Sequence, residues 1–210
     1  MWAHGGRAKR LDGGAALGYT RWAIRFRFPA GREAGMRLQG KRIAILAENL
    51  YQEMELWVPY YRLKEEGAAV SIIGTGTAKT YTSKHGYPVA VDAAADEVTG
   101  TQFDAVVIPG GFAPDLMRRS TALIRLVREA FDAGKVVAAI CHGGWVLCSA
   151  GVLKGKTATG FFSIKDDMVN AGARFVDQEV VVDGNLITAR KPDDLPAFCR
   201  ELVKALEKMS

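Results

Sequence analysis

Cysteine is scarce in this chain: there are three among 210 residues, Cys141, Cys148 and Cys199. The number is odd, and none stands in a C-x-x-C pair or at zinc-ligand spacing from a histidine. That excludes a disulfide framework and a structural zinc site, and it makes a reducing, cytoplasmic setting the expectation. Histidine is equally rare, with His4, His85 and His142. No apolar run reaches the roughly 18 residues that a membrane helix needs. Near the start there is no apolar core followed by a small-residue cleavage site, so no secretory signal is expected. No internal repeat or low-complexity tract stands out. Nothing implies a metal or an organic cofactor, and no membrane partner is expected.

Positive charge is in excess, but not on the body of the protein. The formal net charge is +5. Residues 1–35 hold seven basic side chains (Arg7, Lys9, Arg10, Arg21, Arg25, Arg27, Arg32) and two acids (Asp12, Glu33), which accounts for all of it. Residues 36–210 are neutral by count, so no basic face for nucleic acid is expected there. The first 35 residues are read as a basic extension with three open readings: sequence upstream of a natural start at Met36, a flexible arm or oligomer contact, or an organelle-targeting peptide. Residues 36–210 are read as one domain, a length that buries a full core without staples.

From Lys41 the pattern is regular. Arg42–Ala47, Ala69–Gly74, Tyr87–Asp92, Asp104–Pro109 and Val136–Ile140 read as strands, with a short one near Thr157 and a pair around Val180 and Ile187. Helices are expected over Leu50–Glu66, kinked or divided at Pro59, and over Thr121–Ala133, Gly143–Ala150, Ile164–Ala171 and Asp193–Lys208. Alternating strands and helices with apolar strand runs predict an α/β fold with a mostly parallel sheet covered on both faces. Ligands of such sheets bind beyond the carboxyl ends of the strands. The segments after Ala47, Pro109 and Ile140 are therefore the places to look.

The strongest chemical signal is Val137-Ala-Ala-Ile-Cys-His-Gly-Gly144. A strand running straight into a helix makes an elbow that lifts the side chain of Cys141 above the sheet edge, and the small flanks Ala139 and Gly143 permit the turn. The helix beyond it offers free N–H groups and a dipole, both expected to favour thiolate and to serve as an oxyanion hole. The bland alternative is a buried core cysteine. His142 is the candidate general base or ion-pair partner, or else a surface or capping residue. Gly110 and Gly111, in Pro109-Gly-Gly-Phe-Ala-Pro-Asp115, let backbone approach a substrate and offer amide donors, or form a plain turn. Asp115 is a candidate acid to orient the imidazole, or else a helix N-cap. Cys148, Cys199, Trp57, Tyr60, Tyr61 and Trp145 are read as structural.

Several segments, taken together and in order, resemble one known family. They are Glu55-Leu56…Pro59-Tyr60-Tyr61-Arg-Leu-Lys-Glu-Glu-Gly67, Lys84-His-Gly-Tyr87, Pro109-Gly-Gly111, Ala139-Ile-Cys-His-Gly143, Ser149-Ala-Gly-Val-Leu153, Ile164-Lys-Asp-Asp-Met168, Asn170-Ala-Gly172 and Val180-Val-Val-Asp-Gly184. They look like the PfpI family, the intracellular cysteine peptidase and deglycase branch of the ThiJ/PfpI superfamily. The resemblance runs from about Lys41 to Lys208. It implies a flavodoxin-like three-layer sandwich, a cysteine nucleophile at the elbow, and a homo-dimer or hexamer with the site near a subunit interface. It also implies that Asp115, contributed by a neighbouring copy, completes the Cys141–His142 pair. From the residues themselves, Gly110, Gly111, Gly143 and Gln52 are the expected substrate and oxyanion surface.

Two departures from the family pattern are expected. The glutamate that the family places against the cysteine sulfur aligns with Gln52, with Glu48 and Glu53 out of register. An aromatic hydroxyl is replaced by Phe161. A glutamine cannot exchange a proton, so general acid–base work would suffer. A glutaminase of the related amidotransferase class needs a further histidine well downstream of the nucleophile, and none follows His142. The function expected is a stress-type cysteine hydrolase acting on a small aldehyde, a glycated protein or a peptide. The alternative is a non-catalytic redox sensor that oxidises Cys141.

Overall fold

The computed structural model describes residues 36–209. The basic extension over 1–35 lies outside the described residues. In chain order the elements are β1 (Arg42–Ala47), α1 (Glu53–Glu65), β2 (Ala69–Gly74), β3 (Thr80–Thr82), β4 (Pro88–Ala90), β5 (Ala93–Ala94), β6 (Ala105–Ile108) and α2 (Ala113–Met117). They continue with α3 (Thr121–Asp132), β7 (Val136–Ile140), α4 (Gly144–Ala150), β8 (Thr157–Ala158), α5 (Lys165–Asn170), β9 (Arg174–Phe175), β10 (Val180–Asp183), β11 (Leu186–Ala189) and α6 (Leu195–Lys208).

Seven strands form the main sheet in the order β10-β11-β7-β6-β1-β2-β5. Every neighbouring pair is parallel except β10–β11. Helices α1 and α6 pack together on the sheet as one layer, and α3 and α4 pair with each other as the other. This is the flavodoxin-like three-layer sandwich. The strands β1, β6 and β7 are almost wholly buried because both faces of the sheet are covered, which is why they read as unbroken apolar runs. Among the described residues, no helix is long and apolar enough to cross a membrane.

Three local differences from the sequence reading have physical causes. Helix α1 begins at Glu53, not Leu50: Leu50 has φ +65°, Tyr51 bridges to Gly111, and the Gln52 side chain caps the helix by accepting from Met54 N at 2.8 Å. Pro59 neither divides nor ends α1; it is buried mid-helix and the element runs on to Glu65. The strand expected over Tyr87–Asp92 is shorter, Pro88–Ala90, and pairs with β3 as a separate hairpin outside the main sheet.

The chain order β1, β2, then β6 on the other side of β1 places a topological switch point between β1 and β6, where ligands of such sheets bind. The loops leaving these strands are stitched together there. Gln52 N donates to Gly110 O at 3.1 Å, and Phe112 N to Leu50 O at 2.9 Å. β7 lies next to β6 and delivers Cys141 to the same edge.

Candidate active site

Cys141 sits at the turn from β7 into a short 3₁₀ turn (Cys141–Gly143) that leads into α4. Its φ is +60°, a left-handed conformation that costs a non-glycine residue about 1–2 kcal/mol. The residue is 7% exposed and lines a cavity above the elbow. The backbone amides of His142 and Gly111 face the sulfur and favour its ionised form. The cavity holds about 450 Å³ and is walled by Leu50, Phe112, Trp145, Phe161 and Pro192, with Lys84 at its edge.

Glu55, in the first turn of α1, is fully buried against the cysteine. Its Oε2 accepts from Gly110 N at 2.7 Å. Its Oε1 has no conventional partner, and the other neighbour of the carboxyl is the Cys141 thiol. Burial raises the Glu55 carboxyl to about 7, against the pull of the Gly110 amide, the Cys141 thiol and the Lys84 charge. Burial first, and then the Glu55 charge, push the Cys141 thiol up to about 12, although the His142 and Gly111 amides act in the opposite sense. The thiolate expected from the helix dipole is therefore outweighed: α4 is only seven residues long, and desolvation together with a carboxylate neighbour is larger.

Gly110 is required for this contact, since a Cβ there would lie 2.6 Å from Glu55 Oε2 and 2.7 Å from Cys141 Cβ. Gly111 has φ +80°, and a Cβ would meet Leu50 O at 2.5 Å. The amide of Gly111 is thus the one turned to the sulfur, while that of Gly110 is consumed by Glu55. Gly143 is a packing residue: a Cβ would lie 2.6 Å from Ile108 O, and its neighbours are β6 and β7.

His142 is half-buried. Its Nδ1 lies 3.3 Å from Cys141 Sγ and its Nε2 lies 3.2 Å from Ser163 Oγ. The Phe161 ring stacks on the imidazole at 4.8 Å and 30°, and Trp145 meets it edge-on at 5.1 Å. Burial and then the Lys84 charge lower its pKa, so the ring is neutral at pH 7. Asp115 lies in α2, where it pairs with Arg119, and Phe112 rather than Asp115 is the N-cap of that helix. Within the chain Asp115 does not hydrogen-bond His142. Cys148 and Cys199 are held high by burial at about 11.

The expected Gln52 substitution is corrected by this geometry. Gln52 lines the cavity as the α1 cap, and Glu55, one helical turn on, is the acid against the sulfur. Glu48 instead binds the Thr75 and Thr77 hydroxyls, and Glu53 binds Ser83 and His85. A sequence signal was available. Glu55, Pro59 and Leu63 recur at i, i+4 and i+8, the inward stripe of an amphipathic helix, so Glu55 is an acid on a buried face. Trp145 and Phe161, read as structural or as a lost hydroxyl, are the walls that hold the imidazole.

A family model described as "DJ-1/PfpI family" matches residues 41–205. The chain is 48% identical over 166 residues to "Deglycase PfpI" of Pyrococcus furiosus, covering 79% of this chain and 99% of that protein. It is 43% identical over 171 residues to "General stress protein 18" of Bacillus subtilis, covering 80% of this chain and 99% of that one. A crystal structure of a two-domain Anabaena variabilis protein, with DJ-1/ThiJ/PfpI-like and ferritin-like domains, superposes with a TM-score of 0.77 at 45% identity. That match covers 79% of this chain and 50% of the Anabaena one.

Proposed function

This chain belongs to the DJ-1/PfpI family, and we propose that within it the protein is a cysteine-dependent hydrolase of the deglycase type, acting on small 1,2-dicarbonyl compounds and on their adducts with proteins or peptides. The observation that carries this reading is the buried Glu55 carboxyl, held near 7 against a strained-elbow cysteine. A general acid–base group works best with its pKa near the operating pH. The similarity to a protein named a deglycase supports the same chemistry.

The steps follow from where the groups stand. Cys141 Sγ attacks the aldehyde carbon of methylglyoxal while its proton passes to His142 Nδ1. Burial and the Glu55 charge both hold the thiol in its protonated form, so we infer that its proton leaves as the S–C bond forms. The amides of Gly111 and His142, already directed at the sulfur, steady the developing oxyanion. Glu55 then removes the proton from the aldehyde carbon of the adduct and returns it to the neighbouring carbon, while the proton taken up by His142 passes to the former ketone oxygen and the adduct oxyanion closes to the thioester carbonyl. The hemithioacetal becomes a lactoyl thioester with no external oxidant. Water cleaves the thioester, releasing lactate and the thiol.

A redox-sensor role is less well supported. Sensor cysteines are accessible and low in pKa, whereas this thiol is 7% exposed and held high. The proposal extends to a cytoplasmic homo-oligomer, dimer or hexamer. The surface that supports assembly is on α1 and the β3–β4 hairpin, where Trp57 stacks on Tyr61 and meets Tyr87 edge-on, with Tyr61 and Tyr87 64% and 59% exposed. Incubating the purified chain with methylglyoxal tests the chemistry. Lactate release that disappears in Cys141→Ser and in Glu55→Gln is expected. Release that survives Cys141→Ser would overturn the assignment.

A further inference from the structure

The imidazole of a thiol–imidazole pair must carry its proton on the far nitrogen if the near one is to accept from sulfur. Something has to hold that tautomer, and in many such sites it is a carboxylate. Here the group at hydrogen-bond distance from His142 Nε2 is the hydroxyl of Ser163, at 3.2 Å. We propose that Ser163 is the positioning residue of the site, accepting the Nε2 proton of His142 and so completing a Cys141–His142–Ser163 relay within one copy of the protein. The inference rests on the reading of His142 as the base that takes the thiol proton.

The loop that carries Ser163 is built against the elbow. Phe161 N donates to the carbonyl of Cys141 at 3.2 Å, and Ile164 N closes a turn onto Phe161 O at 3.1 Å. Ile164 is fully buried and anchors the loop from beneath. At the start of the loop Gly160 packs against Met168, whose Sδ would lie 2.8 Å from a Cβ there and would have to shift. The same segment therefore sets the ring face, through Phe161, and the ring edge, through Ser163. The phenyl that replaces an aromatic hydroxyl and the serine two residues on act together: one stacks and the other hydrogen-bonds.

A hydroxyl differs from a carboxylate in its electrostatic effect. It accepts the Nε2 proton and fixes the tautomer, but it adds no negative charge to stabilise imidazolium. The charged and titratable groups around the ring are the Cys141 thiol, Glu55 and Lys84 across the cavity, and Arg118 and Asp167 on Trp145. Neither carboxylate among them hydrogen-bonds Nε2. Before it takes the thiol proton, His142 is accordingly a neutral base.

With only three histidines in the chain, the imidazole ¹⁵N resonances of the full-length protein can be assigned by comparison with His142→Gln. At pH 7.5 we expect His142 to be neutral with its proton on Nε2. Ser163→Ala should give a mixture of tautomers, lower kcat on methylglyoxal about tenfold, and leave KM unchanged, as loss of one orienting hydrogen bond predicts. Ser163→Thr should restore both the tautomer and kcat. The rate of Cys141 alkylation by iodoacetamide at the same pH should fall with the tautomer in Ser163→Ala. An unchanged tautomer and an unchanged alkylation rate in Ser163→Ala would overturn the proposal. So would a loss of kcat in Asp115→Asn with none in Ser163→Ala, which would make Asp115 of a second copy the orienting group. If the wild type turns over no dicarbonyl at all, the reaction class fails, while the NMR and alkylation readouts still decide on Ser163.

Discussion

Replacing Glu55 by glutamine should make the protein more stable at pH 8 while disabling it. A carboxyl raised in the folded state from 4.5 to about 7 binds its proton more tightly there than in the unfolded chain. Below about pH 4.5 both states are protonated and the group costs nothing. As pH rises from 4.5 to 7 the unfolded chain ionises first, so folding is progressively penalised. Above 7 the penalty approaches about 3.5 kcal/mol, from a shift of about 2.5 units at ~1.4 kcal/mol each. Glutamine does not titrate, and its Oε1 can still accept from Gly110 N. The gap between variant and wild type should therefore be small at pH 4.5 and grow to about 3 kcal/mol by pH 8. That corresponds to a rise in Tm of roughly 6–12 °C for a domain of this size. The carboxyls held low elsewhere, Glu53, Glu66 and Asp183, are common to both proteins and cancel in the difference. Urea unfolding followed by circular dichroism at pH 4.5, 6 and 8 reads the gap directly. A gap that does not change with pH, or that shrinks toward pH 8, would refute the burial argument.

The same carboxyl sets the pH dependence of turnover. Because Glu55 must be ionised to take a proton from carbon, kcat should rise through a midpoint near 7 and be about fivefold lower at pH 6 than at pH 7; a profile flat from pH 5.5 to 8 would remove Glu55 from the proton transfer. Glu55→Gln should lower kcat by about 10²–10⁴-fold, read in the lactate assay. Gly110→Ala places a methyl 2.6 Å from Glu55 Oε2 and 2.7 Å from Cys141 Cβ, so we expect a loss of about 1–3 kcal/mol in urea unfolding and no measurable turnover. Gln52→Glu should not raise turnover, since the acid position is already filled by Glu55; a severalfold gain in kcat would show that Glu55 is not the working acid.

Much of this protein is legible in its residues. The apolar runs at Arg42–Ala47 and Val136–Ile140 mark buried strands because a sheet covered on both faces has no polar side to declare. The elbow at Cys141 is readable because a strand can turn directly into a helix only with small neighbours. The pairing of chemistry-bearing residues was harder to see. Aligning the acid onto Gln52 rather than Glu55 misplaces it by one helical turn, and a turn of helix decides which side chain faces the sheet. Only the tertiary structure joins the loops after β1 and β6 so that the Gly110 amide meets Glu55. Only it shows that desolvation of the sulfur outweighs a short helix dipole. The contact of Ser163 with His142 joins residues 21 apart. No local pattern encodes it, because it exists only where the Phe161 amide ties its loop to the carbonyl of Cys141.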